Sequence, residues 1–261
     1  MTDDLGRFVW YELMTTDMKA AASFYGAVVG WGTQDSAMPG MEYTLFMRGE
    51  SMAAGLMNQP EESRKMGASP SWMGYVGVDD IDTATAKAKR LGGTVYVEPR
   101  DIPGMGRFSV VADPQMAVFA MFQAVPPRSP PPAPPLGTPG EIGWHELYAT
   151  DWEKDFAFYS ELFGWKKDQA MDMGPGVGTY QLFATASGGP AIGGMFNKPA
   201  EVPVNFWLYY FNIDSIDPAV ERVKSAGGKV LMGPMEVPGG AFIVQCMDPQ
   251  GAMFALTGPR K

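Results

Sequence analysis

A 24-residue segment occurs twice in this chain, and this repeat constrains the fold more than any other feature. Residues 8–31 return 134 positions later as residues 142–165 with nine identities, where unrelated segments of that length would share roughly one or two. The chain is therefore a tandem duplication. The identical pairs are Trp10 and Trp144, Glu12 and Glu146, Leu13 and Leu147, Thr16 and Thr150, Asp17 and Asp151, Phe24 and Phe158, Tyr25 and Tyr159, Gly30 and Gly164, and Trp31 and Trp165.

The repeat divides the 261 residues into two domains of ordinary size. We expect the first domain at residues 1–125 and the second at residues 140–261. The segment between them, residues 126–139, is rich in proline, which favours extended polyproline II structure. We interpret this segment as a stiff spacer, with a ligand for a proline-binding module as the alternative.

Charge and cysteine content limit the partners and the compartment. A net charge of −9 argues against nucleic acid and anionic membranes, which both bind basic surfaces. The first residues do not resemble a signal peptide, and the apolar runs are too short to cross a bilayer. The single cysteine, Cys246, has no partner for an intrachain disulfide. We expect a cytoplasmic protein whose partner is a small molecule, or which has none.

The apolar pattern predicts one order of elements four times, namely a strand, a helix and three more strands. In the first unit Asp17 is placed to cap a helix that Gly30 ends. We predict that residues 61–70 form a polar loop and that residues 99–106 form a loop rich in glycine and proline. This order predicts an α+β fold.

Four features recur in both copies: a Thr-Asp helix cap, a Phe-Tyr pair in the helix, a Gly-Trp stop, and a late Asp-Pro-Gln turn at Asp113 and Asp248. Together they resemble the vicinal oxygen chelate superfamily of glyoxalases, bleomycin-resistance proteins and extradiol dioxygenases. The resemblance covers nearly the whole chain. It implies tandem glyoxalase-like domains, in which four βαβββ units form cupped mixed sheets. It also implies that the two domains pair within the chain, with a homodimer as the alternative.

The resemblance further implies where a metal would bind, because four positions per site supply His, Gln or Glu ligands in that superfamily. The first position holds Tyr11 in one copy and His145, the only histidine of the chain, in the other. The other positions hold no donor, and a first-row metal needs three or four. We therefore predict no metal and no other cofactor, with a divalent metal bound through His145 as the alternative. The positions without a donor fall near Gly55 and Gly194, at Met73 and Leu208, and at Ala120 and Ala255.

Alternation along the strands predicts which side chains line the cups. We expect His145 to share two mostly apolar cups with five other residues. The alternative is that all six form a plain core. The five are Tyr11, Met73, Tyr75, Leu208 and Tyr210.

Glu12 and Glu146 lie in apolar strands, on the opposite face from Tyr11 and His145. A carboxylate in such a place must be hydrogen-bonded or lie in a wet cleft. Each glutamate either satisfies backbone amides or a tryptophan N–H, or acts as a general base with a raised pKa. His145 and Glu146 are the candidate catalytic residues. Arg107, in a glycine-rich loop, is a candidate ligand for an anion.

These observations predict a glyoxalase- or bleomycin-resistance-like protein without the metal site of the family, which binds a small apolar or aromatic molecule. The first alternative is an enzyme, a lyase, isomerase or hydroxylase-like protein in which His145 transfers protons. The second alternative is a regulatory or structural partner that binds no ligand. The residues alone do not decide whether the protein is an enzyme.

Overall fold

The computed structural model describes residues 5–36, 42–125, 134–176 and 178–260. Most of the predicted spacer, residues 126–133, lies outside these ranges, so its polyproline structure stays a prediction. Within the described ranges the predicted order of strands and helices is confirmed in both copies.

The first copy forms two βαβββ units joined by a short helix, α2. Its elements are β1 (Phe8–Thr15), α1 (Met18–Val29), β2 (Gly32–Asp35), β3 (Tyr43–Arg48), β4 (Ser51–Asn58), α2 (Glu61–Lys65), β5 (Ser71–Gly77), α3 (Ile81–Arg90), β6 (Thr94–Ile102), β7 (Gly106–Ala112) and β8 (Val118–Ala124).

The second copy repeats the two units. Its elements are β9 (Ile142–Ala149), α4 (Trp152–Phe163), β10 (Lys166–Asp172), β11 (Thr179–Ala184), β12 (Gly193–Asn197), β13 (Phe206–Asn212), α5 (Ile216–Ser225), β14 (Lys229–Glu236), β15 (Phe242–Met247) and β16 (Met253–Gly258).

The strands of each copy form one eight-stranded mixed sheet. The order is β2-β3-β4-β1-β5-β8-β7-β6 in the first copy and β10-β11-β12-β9-β13-β16-β15-β14 in the second. Parallel pairing of β1 with β4 places Glu12 beside Gly55, and pairing of β9 with β12 places Glu146 beside Gly194. The repeated strand order confirms the predicted α+β fold of tandem βαβββ units.

Two segments that we predict as loops contain regular structure. Residues 61–70 begin with α2, whose first turn is acidic and whose last turn is basic, as the helix dipole favours. Residues 99–102 continue β6, because Arg100, Asp101 and Ile102 pair with β7. The strand accommodates Pro99 because β6 is the last strand of its sheet, and an edge strand tolerates proline.

The helices α1 and α4 begin and end as the sequence predicts. The carboxylates of Asp17 and Asp151 accept hydrogen bonds from the amides of Ala20 and Lys154, at 2.9 and 3.2 Å. The helices end where Gly30 and Gly164 take left-handed φ angles of 88° and 74°. None of the helices in the described ranges combines the length and apolar character that a bilayer-spanning segment requires.

The residues cluster into two compact units, and each unit takes one half from each copy. Unit 1 comprises Met1–Val9, Gly74–Ala133 and His145–Trp207, and unit 2 comprises Trp10–Met73, Pro134–Trp144 and Leu208–Lys261. The predicted domain boundaries follow the repeat and stay a prediction. The compact units cut across the repeat.

A buried tyrosine stands at the centre of the aromatic core of each unit. In unit 1 the ring of Tyr159 on α4 lies 5.3 Å from the rings of both Trp165 and Trp207. In unit 2 the ring of Tyr25 on α1 lies 5.2 Å from that of Trp72. Aromatic pairs at these separations supply much of the buried apolar area of a small domain.

Candidate functional site

His145 on β9 belongs to the aromatic cluster beside α4 in unit 1. Its ring stacks on Phe8, with centroids 4.0 Å apart and 12° between the planes. Phe8 in turn contacts Trp165 and Trp207, which both contact Tyr159 of α4. Only 6% of the histidine is exposed. The structure thus places His145 on the face of the strand that packs against the helix.

Burial and one hydrogen bond determine the protonation of His145. Burial lowers its pKa to about 4, although the bond to Ile192 acts in the raising direction. Nδ1 lies 2.5 Å from the carbonyl oxygen of Ile192, so Nδ1 carries the proton and donates it. The imidazole is therefore neutral at neutral pH. Its role as a catalytic residue stays a prediction, which this packed position does not favour.

Tyr11 occupies the corresponding face in unit 2. Its ring meets that of Tyr209 edge-on at 5.6 Å, and Tyr209 shares its face of β13 with Phe211 by strand alternation. Phe211 contacts Tyr25 of α1. From the sequence we expect Tyr11 and Tyr210 to line the same cups. The structure does not bring them together, because Tyr210 lies on the other face of β13. Alternation relates residues within one strand, whereas packing decides which faces of different strands meet.

A chain of hydrogen bonds lies on the opposite face of β1, in unit 2. The indole N–H of Trp10 donates to the hydroxyl of Tyr43 at 3.0 Å, and this hydroxyl in turn is hydrogen-bonded to Glu12. Burial first, and then the charge of Glu12, raise the pKa of Tyr43 well above its ordinary value. Tyr43 therefore stays protonated and donates to the carboxylate. We call this face of each sheet, which carries Glu12 in one copy and Glu146 in the other, the glutamate face.

Gly55 makes room for Tyr43 on this face. A Cβ atom at Gly55 would lie 1.9 Å from the hydroxyl oxygen of Tyr43, so any side chain there would force the tyrosine to move. Since Gly55 pairs directly with Glu12, the missing side chain is what lets the tyrosine reach the carboxylate. Glu12 is 7% exposed and Tyr43 is 9% exposed, so the pair is almost fully shielded from water.

The second copy repeats this arrangement in unit 1. Glu146 pairs with Gly194, and a Cβ atom at Gly194 would lie 2.5 Å from the hydroxyl oxygen of Tyr180. Glu146, like Glu12, is buried. A glutamate, a glycine and a tyrosine thus recur at matching places in both copies, although loops of different length separate them in the sequence.

The glutamate face of the second copy is richer in aromatic residues. Tyr148 stacks on Phe206 at 4.5 Å and meets Phe196 edge-on at 4.6 Å. The first copy has Met14 and Met57 where the second has Tyr148 and Phe196. The two copies therefore present different apolar surroundings to similar carboxylates.

The predicted cup residues of β5 and β13 are buried on similar apolar faces. In unit 1, Tyr75 pairs with Ala120 and its ring lies 6.3 Å from that of Phe108. In unit 2, Tyr210 pairs with Ala255 and accepts a hydrogen bond of 3.4 Å from Gln245. The other two predicted residues, Met73 and Leu208, are buried.

Arg107 is engaged by carboxylates of the chain itself. Its guanidinium donates to Asp82 and, at 2.9 Å, to Asp101. These two hydrogen bonds raise the pKa of the arginine, with that of Asp82 the larger effect. An anion would have to compete with both carboxylates for Arg107, so its predicted role as an anion ligand gains no support from this geometry.

Comparison with known proteins identifies the family. The model of the Glyoxalase/Bleomycin resistance protein/Dioxygenase superfamily matches residues 7–121 and again residues 141–256. The chain belongs to this superfamily. The double match agrees with the tandem repeat, and the recognition from the sequence is confirmed.

Relatives within the superfamily match over almost the whole chain. A Mycobacterium tuberculosis protein named "Putative glyoxylase CFP32" is 31% identical and covers 96% of this chain and 94% of its own length. The anthracycline biosynthesis protein DauV of Streptomyces sp. strain C5 is 27% identical and covers 98% of this chain and 94% of its own.

Solved structures of the superfamily share the fold at low sequence identity. The Mn(II)-bound glyoxalase of Novosphingobium aromaticivorans superposes with a TM-score of 0.67 at 16% identity, over 99% of this chain and 83% of its own. The 2,2',3-trihydroxybiphenyl 1,2-dioxygenase of Sphingomonas wittichii reaches 0.65 at 15% identity, over 99% and 91% of the two chains. At this identity they establish the fold alone.

The side chains in the described ranges do not offer the set of donors that an ion such as the Mn(II) of that glyoxalase needs. Within residues 5–36, 42–125, 134–176 and 178–260, no three His, Cys, Asp or Glu side chains form a group that could hold an ion. Glu12 has a tryptophan and a protonated tyrosine as its neighbours, and these are not ligands that a divalent metal prefers.

Sequence reasoning missed several residues of the glutamate faces. Tyr43, Tyr180, Trp10 and Gln245 were not among the predicted site residues. The sequence does contain a signal for Tyr43 and Tyr180. In both copies the tyrosine precedes a strand glycine, Gly55 or Gly194, by about a dozen residues. Different loop lengths, which shift the offset between copies from 134 to 137 at the tyrosines, concealed it.

Proposed function

We propose that this protein is a metal-independent member of the superfamily, which binds a small and largely apolar or aromatic molecule on its glutamate faces. The observation that carries the proposal is the buried Glu12, which is hydrogen-bonded to Tyr43. Gly55 leaves the space that Tyr43 occupies. A shielded carboxylate among apolar side chains suits a ligand that is mostly apolar and offers one hydrogen-bond donor, such as a phenol.

The second copy supports the same class of ligand. Glu146 lies on a face with Tyr148, Phe196 and Phe206, and aromatic side chains favour flat aromatic ligands. The relative DauV is named for anthracycline biosynthesis, which is consistent with an aromatic ligand for this chain as well.

A thermal-shift screen with phenols and apolar aromatic compounds tests the proposal. A ligand that binds the folded protein raises the melting temperature by mass action. We expect the shift to shrink in Glu12→Gln and Glu146→Gln, and to persist in the control Glu62→Gln, since Glu62 is an exposed residue of α2. An unchanged shift in both glutamate variants would contradict the proposed site.

Metal analysis tests the other half of the proposal. We expect elemental analysis of the dialysed protein to find far less than one equivalent of divalent metal, and a chelator to leave the ligand-induced shift unchanged. If the wild type contains one equivalent of metal and the His145→Ala variant contains none, the proposed metal independence is wrong. If no compound shifts the melting temperature, a partner protein without a ligand becomes the better hypothesis.

An enzyme of lyase or isomerase type is a second candidate, favoured by the hydrogen bond between Glu12 and Tyr43. A carboxylate base beside a phenol can take a proton from one atom of a substrate and return it to another. In this second proposal the glutamates, rather than His145, would transfer the proton. Glu12→Gln or Glu146→Gln would then abolish turnover while ligand affinity remains, whereas His145→Gln would reduce stability more than turnover.

A further inference from the structure

Asp155 is a buried carboxyl group outside the proposed ligand sites. It lies in α4, four residues after the N-cap Asp151, and none of its surface is exposed. Neither of its carboxyl oxygens has a hydrogen-bond partner in the part of the chain that the structure describes. A fully buried polar group without a partner is unusual in a native protein and calls for a physical explanation.

The neighbour of Asp155 is a second carboxylate, Asp113, in the turn between β7 and β8. Both oxygens of Asp113 accept hydrogen bonds. Its Oδ1 accepts from the amides of Gln115 and Ala117, both at 2.9 Å. Its Oδ2 accepts from the hydroxyl of Tyr159, also at 2.9 Å, and this hydroxyl accepts from the indole of Trp207.

Among the residues that the structure describes, no positive charge compensates Asp155. The charged groups that act on it are Asp113 and Asp151, and both disfavour a second negative charge. The side-chain amide of Gln115 is the one neighbour that acts in the opposite direction. Its nitrogen donates to the carbonyl oxygen of Asp151 at 2.8 Å, however, and leaves both oxygens of Asp155 without a well-formed hydrogen bond. Lys154 pairs with Asp151 at the surface instead, and no ion pair found within the described ranges includes Asp155.

We propose that Asp155 holds a proton in the folded protein at neutral pH, and that α4 is therefore an element whose stability falls as the solution becomes alkaline. An ionised carboxylate buried without a partner beside another carboxylate would cost far more free energy than protonation does. This inference is independent of the proposed ligand.

The direction of the effect follows from proton linkage. Burial, and then the charge of Asp113, raise the pKa of Asp155 to about 8, whereas an aspartate in an unfolded chain has a pKa of roughly 4. The folded protein therefore binds more protons than the unfolded chain between these values. Stability is lost as the pH rises through that window.

Unit 2 contains the same architecture without the extra carboxyl group. Ala21 of α1 stands where α4 has Asp155, four residues after its own N-cap. Asp248 makes the contacts of Asp113, since its Oδ1 accepts from the amides of Gln250 and Ala252 and its Oδ2 from Tyr25. The chain thus provides its own control.

Chemical unfolding of the wild type, Asp155→Ala and Asp155→Asn at two pH values tests the proposal. At a pH of about 9, above the raised pKa, the folded wild type carries an unfavourable buried charge that both variants lack. We therefore expect both variants to be more stable than wild type at this pH, with an unfolding equilibrium constant at least tenfold lower. At a pH of about 5 we expect the difference from wild type to be much smaller. If wild type and variants respond identically to pH, the proposal is wrong.

Infrared spectroscopy gives a readout that packing alone would not change. We expect a protonated carboxyl band in the folded wild type at neutral pH, and its loss in Asp155→Asn. Absence of this band from the wild type would overturn the proposal. The reverse substitution, Ala21→Asp, should introduce a second group of the same kind into unit 2 and steepen the loss of stability with pH.

Discussion

Single residues that differ between the two copies show where the duplicated structure carries strain. Met116 follows the Asp-Pro-Gln turn of the first copy with a φ of 76°, and Gly251 takes the same place in the second copy with a φ of 101°. Left-handed backbone angles disfavour residues with a Cβ atom. The methionine is also 52% exposed, so packing does not offset this cost.

Relief of this strain should therefore make Met116→Gly more stable than wild type by about 1 kcal/mol. The larger conformational entropy that glycine loses on folding reduces this gain. Urea unfolding of the variant beside wild type would measure the gain. Met66 is a suitable control, since it is exposed and has a φ of −82°, and Met66→Gly should give no stabilisation. A loss of stability in Met116→Gly would show that its side chain contributes contacts that outweigh the strain.

Gly55 is the second residue with an effect that can be predicted. A methyl group at this position would collide with Tyr43, whose hydroxyl bonds to both Trp10 and Glu12. We expect Gly55→Ala to cost about 1–3 kcal/mol, as other insertions into packed sites do, and to weaken ligand binding.

The control for Gly55 is Gly32, where a Cβ atom would meet nothing closer than 3.9 Å. Gly32→Ala should change stability little, and calorimetry of both variants would compare them. Equal melting temperatures would mean that Tyr43 moves aside without cost, and that its contact with Glu12 is dispensable.

At the scale of elements, α1 and α4 are held to their units by matching chains of hydrogen bonds. In unit 1 the chain runs from Trp207 through Tyr159 to Asp113. In unit 2 the indole of Trp72 donates to Tyr25 at 2.8 Å, and the tyrosine donates to Asp248 at 3.1 Å. Each chain joins a strand, a helix and a turn, and each is buried.

Tyr159→Phe and Tyr25→Phe should each destabilise the protein by about 1–3 kcal/mol, because each leaves a buried indole N–H and a carboxylate oxygen without their partner. Denaturant unfolding monitored by tryptophan fluorescence would report both the stability and the environment of the indole. Tyr96→Phe is the matched control, since Tyr96 is 43% exposed. If Tyr159→Phe and Tyr25→Phe lose no more stability than Tyr96→Phe, a water molecule replaces the lost hydroxyl.

At the scale of the whole molecule, the two repeats do not correspond to the two compact units. Each unit combines residues of the first copy with residues of the second. Asp113 of the first copy bonds to Tyr159 of the second, and Tyr25 of the first bonds to Asp248 of the second. The core of each unit therefore requires both copies.

A single copy should not fold as a monomer. We expect residues 1–125 expressed alone to be insoluble, or to pair with themselves, because Tyr25 and Asp113 lose their partners. Co-expression with residues 134–261 should restore a stable complex, which size-exclusion chromatography and circular dichroism would detect. A monomeric first copy that unfolds cooperatively would contradict this account.

Sequence alone determined the features that depend on neighbouring residues. The repeat, the order of elements, the caps at Asp17 and Gly30, and membership of the superfamily were all predicted. Capping requires a particular side chain within a few positions of a helix end, so the signal is local. The loop predicted at residues 99–106 is shortened to a turn at residues 103–105, because Arg100, Asp101 and Ile102 pair with β7 and extend β6.

Tertiary structure decided everything that depends on which distant faces meet. Strand alternation separated Glu12 from Tyr11 and Glu146 from His145, but it could not say which face a helix covers. The structure packs His145 into the aromatic core and joins Glu12 to Tyr43, 31 positions away in the chain. Only folding brings such residues together, because burial and hydrogen bonding act through space, whereas a sequence pattern records only spacing along the chain.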